Sequence, residues 1–199
     1  PIAQGGKFIY EFDLPDAGTY WYHPHIQTVE QVGRGLHGAL IVEEATPPKV
    51  DRELVWVIDD WRVDDSGAIT DDFHHPHDIS HSGRIGNLIT VNGAELKDVP
   101  VRAGERIRLR LINAANARVF GLSFEGLEPQ IIAIDGHPVA PHAAAGGRVA
   151  LGPGQRVDLM VDMAGKPGDR MAVVDEYYER FTYTFATFVH EPGAPLRES

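Results

Sequence analysis

Short runs in which apolar residues recur at every second position, each closed by glycine, proline, Asp or Asn, fill most of this chain and direct it toward a β fold. Ile107, Leu109 and Leu111 alternate with Arg106, Arg108 and Arg110, which reads as a half-buried strand with its arginines in water. Val157, Leu159 and Val161 do the same against Asp158 and Asp162, and Leu54, Trp56 and Ile58 alternate with Val55 and Val57 up to Asp59-Asp60. Further strands are expected over 120–124, 130–134, 148–151, 171–174 and 181–185. Near the start, Phe8, Tyr10, Phe12 and Leu14 share one face of another, with Lys7, Glu11 and Asp13 on the opposite face. With 21 Gly and 14 Pro among 199 residues, there is turn material for nearly every gap. This density of short strands and turns predicts an all-β Greek-key β-sandwich rather than a helical bundle.

Chemistry enters at Gly18-Thr19-Tyr20-Trp21-Tyr22-His23-Pro24-His25. In an extended strand, residues i and i+2 face the same side roughly 7 Å apart along the backbone, so His23 and His25 present two imidazoles together. Neutral imidazole is a ligand for copper, zinc and iron. Such a pair can chelate one ion, hand one imidazole to each of two ions, or simply be solvated or hydrogen-bonded; the spacing leaves these open, and zinc competes with copper. Pro24 between them stiffens the backbone and removes a ladder donor at a strand end. Beyond the pair, Gly33-Arg34-Gly35-Leu36-His37-Gly38 leads into the apolar run Ala39 to Val42, a tight backbone passage into another strand.

The stretch from Gly18 to Glu44 resembles the segment that ends the first cupredoxin domain of multicopper oxidases, the laccase-like family. Phrases further on resemble the second domain of its three-domain members: Ile85-Gly86-Asn87 with Val91-Asn92-Gly93, Arg108 to Asn113, Ile134-Asp135-Gly136 and Gly152 to Asp158. Together they cover nearly the whole chain. The resemblance implies a cupredoxin-like sandwich, with residues 1–45 as the closing part of domain one and 46–199 as domain two, a spacer that usually carries no copper ligands. It implies that His23 and His25 are ligands of the type 3 copper pair, one to each copper, within a trinuclear cluster. There a parent enzyme reduces O2 to water with electrons taken one at a time from a small reducing substrate, phenolic or metal ion.

A type 1 copper site requires a Cys sulfur, and the chain has no Cys. The type 1 ligands are therefore expected outside it. The resemblance, in which four His-x-His type motifs build the trinuclear cluster and only one of those is present here, implies that the type 2 ligands lie outside it too, in a third domain and in the earlier half of domain one, so the chain reads as a fragment of a longer protein. Export to the periplasm or secretion is implied by kinship. Two other readings are a copper-free cupredoxin-like scaffold or interaction protein, and a simple copper-binding module without turnover.

The remaining features have plainer readings. His37 is expected to support the pair by hydrogen bonding rather than to bind metal. His74, His75, His77 and His81, in the acidic stretch 64–84, match no defined metal pattern and read as exposed histidines of a mobile polar loop, as do His137 and His142 in a Pro-rich turn region. Asp59-Asp60, Asp64-Asp65, Asp71-Asp72 and Asp175-Glu176 read as solvated groups. A net charge of -11 without a basic stripe argues against nucleic acid as a partner, and no apolar run approaches the ~20 residues of a membrane span.

Overall fold

The computed structural model describes residues 2–197. Two sheets face one another as a sandwich. One has six strands in the order β4-β3-β6-β11-β8-β9, comprising β3 (Arg52–Trp61), β4 (Leu88–Val91), β6 (Arg106–Asn113), β8 (Gln130–Ile134), β9 (His137–Ala143) and β11 (Arg156–Asp162). The other has five in the order β10-β7-β12-β13-β5, comprising β5 (Asp98–Val101), β7 (Phe120–Phe124), β10 (Arg148–Leu151), β12 (Arg170–Asp175) and β13 (Tyr183–His190). Pairing is antiparallel except for β3 with β6 and β13 with β5, where the chain crosses over to lie parallel.

The alternation read from the sequence builds the core. Ile107, Leu109 and Leu111 of β6 and Leu159 and Val161 of β11 are fully buried, together with Phe120, Leu122, Val173 and Phe188. Trp56 lies at 5.9 Å, ring centroid to centroid, from both Phe185 and Phe188. Burying each such side chain contributes about 1.5–3 kcal/mol, so this interior dominates the stability of the sandwich. No helix among the described residues is long and apolar enough to cross a membrane.

A separate two-stranded antiparallel sheet, β1 (Gly18–Tyr22) with β2 (Gly38–Val42), sits on the outer face of the six-stranded sheet. The contact changes the character of β6. Arg108 and Arg110, expected in water, are each 2 % exposed, and Asp158 beside them is 1 % exposed. Arg108 reaches Glu44 at 2.6 Å and Asp158 at 2.7 Å. Arg110 reaches Glu53 at 3.0 Å, Asp158 at 3.1 Å and the Thr19 hydroxyl at 2.8 Å, and that hydroxyl donates to Asp158 at 2.6 Å. Covering both faces of a strand leaves charges no water, so they survive only when paired like this. Gly18 makes the close approach possible. Its backbone lies at φ +152°, and a Cβ there would collide with the carbonyl of Gly136.

Several expectations are corrected. Residues 7–14 form no strand: Phe8, Tyr10 and Phe12 are more than 60 % exposed, because among the described residues no neighbouring strand takes their ladder bonds. The last strand begins at Tyr183 rather than 181 and runs on to His190. Strands 88–91 and 98–101 are not among those expected, the first being an apolar run without alternation and the second only four residues long with a proline in it, and His137 and His142 lie on edge strand β9 rather than in a turn. Asp59, Asp60 and Asp175 are buried, not solvated. Asp60 is held by Arg118 at 3.1 Å and by the Gly86 amide, and Asp175 accepts from the Tyr183 hydroxyl at 2.8 Å and the Gly121 amide at 2.9 Å. That burial, with the Asp175 charge beside it, pushes the Tyr183 hydroxyl well above the usual phenol range.

Candidate metal centre

Strand β1 ends at Tyr22, and the next three residues carry the histidine pair outward from the sheet. The structure brings the two rings together: His23 and His25 stack with centroids 4.9 Å apart and planes 23° from parallel. Trp21 closes the other side of His23 at 4.0 Å. His23 is half-buried and His25 exposed. The Nδ1 of His23 is buried with no hydrogen-bond partner, an unusual state for a polar atom. Burial, then the proximity of His25 and His37, holds the His23 imidazole below its ordinary pKa, so it is kept neutral with a lone pair to offer. A neutral imidazole with an unpaired nitrogen suits a copper ion, and the donor set fits the family's metal to that extent.

His37 is placed by strand register. Tyr22 pairs with Gly38, so the residue before Gly38 comes opposite the residue after Tyr22. Its ring stands 6.3 Å from Trp21, edge to face, and its Nε2 shares a hydrogen bond of 2.9 Å with Oδ2 of Asp59 on β3. Burial raises the pKa of Asp59, against the opposing pull of His37. The expected supporting role of His37 thus acquires a partner, Asp59, that sequence spacing had no means to supply, since 22 residues and two sheets separate them. The Nδ1 of His37 is also buried and unpaired. Among the described residues, no three His, Asp or Glu converge to hold an ion by themselves, so an ion held by His23 and His25 would take its other ligands from water or from another segment of polypeptide.

Immediately after the pair the chain turns through Gln27, at φ 47°, into the short helix α1 (Thr28–Gly33). Thr28 Oγ1 donates to the Pro24 carbonyl at 3.2 Å and Gln31 Nε2 to the Ile26 carbonyl at 2.6 Å, folding the segment back on itself. Gly33 lies against Phe73 and Asn116 so closely that a Cβ there would clash with both.

Phe73 belongs to the 64–84 stretch, which is no featureless loop. It contains the helix α2 (Pro76–Ser80), capped by His75, whose Nδ1 accepts from the His77 amide at 3.3 Å. Arg62 donates to Asp72 and Asp78, each at 2.7 Å, and Arg84 to Asp72 at 3.0 Å. Phe73 is buried between the guanidinium groups of Arg34 and Arg84, 4.8 and 4.2 Å from its ring centroid. The Thr70 hydroxyl, with Arg62 and Arg84 behind it, holds the Asp72 carboxyl down at about 2. The histidines of this stretch are exposed, as expected, but His77 lies in a short helix capped by His75 rather than in irregular loop.

Comparison with known proteins agrees with the family resemblance. A family profile described as multicopper oxidase matches residues 52–191, and a second with the same description matches residues 1–47. Multicopper oxidase MmcO of Mycobacterium tuberculosis is 31% identical over 196 residues, covering 82% of this chain and 37% of its own length. Laccase-1 of Thanatephorus cucumeris is 31% identical over 181 residues, covering 84% of this chain and 31% of its own length. The crystal structure of a multi-copper oxidase from Pseudomonas thermotolerans superposes with a TM-score of 0.78 at 36% identity, over 92% of this chain and 44% of that one. The chain thus spans less than half of the length of each of these three proteins, from 31% to 44%.

Proposed function

The chain belongs to the multicopper oxidase family, and from that premise we propose that it is the part of a copper-dependent oxidase that supplies His23 and His25 to the type 3 copper pair. The observation that carries this is the stacked imidazole pair with its unpaired buried nitrogen, lying within the family match. We read residues 1–45 as the closing part of one cupredoxin domain and 46–199 as a second. Copper bound by the complete protein would supply the centre at which dioxygen is reduced to water by electrons drawn singly from a small reducing substrate, a phenol or a metal ion. On this reading the remaining ligands belong to other parts of the parent protein, which we infer to be periplasmic or secreted.

The chain's own residues prepare this site in definable ways. Trp21 fixes the plane of His23 by stacking and shields it from water, which keeps the ring neutral and ready to donate. Pro24 limits the backbone freedom between the two ligands and brings no amide hydrogen that would need a partner. Asp59 orients His37 beside Trp21, so the wall behind the pair is built from a hydrogen-bonded ring rather than a mobile one. A copper-free scaffold would leave the paired imidazoles without a physical purpose.

In the full-length parent, His23→Ala and His25→Ala are each expected to lower bound copper and abolish O2 uptake while leaving the circular dichroism spectrum unchanged. Full copper content and turnover in either variant would sink the assignment.

A further inference from the structure

The second histidine cluster acquires from the fold what its sequence spacing concealed. His77 and His81 stand one helical turn apart at α2 and its C-terminal cap, and their rings stack with centroids 4.2 Å apart and planes 2° from parallel. Both are exposed. We propose that His77 and His81 form a surface binding site for a borderline divalent cation, cupric ion before nickel or zinc.

The hydrogen bonds around His81 select its ligand atom. The Ser80 hydroxyl donates to the Pro76 carbonyl at 2.8 Å, so toward the Nδ1 of His81, 2.9 Å away, it presents a lone pair. The His77 carbonyl, an acceptor only, lies 3.2 Å from the same nitrogen. Nδ1 of His81 therefore carries the proton, and Nε2 keeps its lone pair facing solvent. This arrangement, in which one ring nitrogen is tied to an oxygen and the other is free, is the usual preparation of a metal-binding histidine. The ring of His77 has no hydrogen bond among the described residues, so its nitrogens are uncommitted. His75 is set apart, because its Nδ1 is engaged in capping the helix and its ring lies 6.5 Å from that of His77.

Two imidazoles one turn apart on a helix need only small side-chain rotations to reach one ion, and exposure leaves room for them and for waters to complete the coordination. Their backbone is already fixed, since Asp78 in α2 and Asp72 ahead of it are tied to Arg62. Two nitrogen donors with water in the other positions suit the tetragonal preference of Cu(II), which also heads the divalent series in affinity. The net charge of -11 favours cation approach. This site does not depend on the role given to His23 and His25.

The test is titration of the full-length protein with Cu(II), followed by calorimetry and by electron paramagnetic resonance, which reads nitrogen coupling directly. The wild type is expected to bind one cupric equivalent that His77→Gln/His81→Gln lacks, with the circular dichroism spectrum of the metal-free variant unchanged. Ser80→Ala, which keeps both rings but removes the hydroxyl acceptor, should weaken that equivalent by about tenfold. His75→Gln should retain it. An unchanged number and affinity of cupric ions in the double variant, or loss of the equivalent in His75→Gln alone, would overturn the proposal.

Discussion

Two stretches carry paired histidines onto the same sandwich, and they are seated by opposite means. The β1–β2 sheet, which leads to His23 and His25, rests on buried charge: Arg108, Arg110 and Asp158 have lost nearly all contact with water and depend on one another, on Glu44 and on Glu53. The 64–84 stretch, which carries His77 and His81, is held by one buried aromatic ring and by ion pairs that stay partly in water. Spacing follows seating. The first pair is two residues apart on extended backbone, with Trp21 stacked on His23, whereas the second is four apart at a helix and open to solvent. The first arrangement takes one of its two rings partly out of water, and the second suits exchange with ions in solution.

The sharpest way to break this contrast is Asp158→Ala. Leaving Arg108 and Arg110 buried without their shared carboxylate is expected to cost about 3–5 kcal/mol in urea denaturation. A cost under about 1 kcal/mol would mean that Glu44 and Glu53 alone suffice and that the seam is less dependent on buried charge than the geometry indicates. Phe73→Ala comes next, at about 3 kcal/mol. Because Phe73, within 64–84, packs under Arg84 and against Gly33 of α1, limited proteolysis should find both segments more open. Cleavage confined to 64–84 would show that α1 stands without it.

Thr19→Val removes the hydroxyl that bridges Arg110 and Asp158, and should cost about 1–2 kcal/mol, read as a shift in the urea midpoint. The smallest effect is one of pH. The Asp72 carboxyl is lowered in the fold from 3.8 to about 2, so its contribution is complete above 3.8 and is lost as pH falls toward 2. Protection of the 64–84 amides against hydrogen exchange, taken relative to the intrinsic rate at each pH, should fall over that interval. Unchanged protection there would mean that Phe73, not the ion pairs, holds this stretch.

The strands that build the core were legible because alternation is a local property: Ile107, Leu109 and Leu111 face inward wherever their strand is placed. What alternation does not report is the environment of the other face. Arg108 and Arg110 read as solvated residues, and became buried only because a separate sheet lies over them. The strand expected over 7–14 failed for the complementary reason, since a pattern suited to pairing forms no ladder without a neighbour.

The same division holds for the histidines. Sequence by itself determined the all-β class, the inward-facing residues and the metal competence of His23 and His25, because side-chain period and ligand chemistry depend only on neighbours along the chain. Tertiary structure alone decided that His23 is half-buried against Trp21, that His37 is tied to Asp59, and that His77 and His81 share one side of a helix. Those outcomes require strand register, burial and the helical turn, which bring together or separate residues irrespective of their order in the sequence.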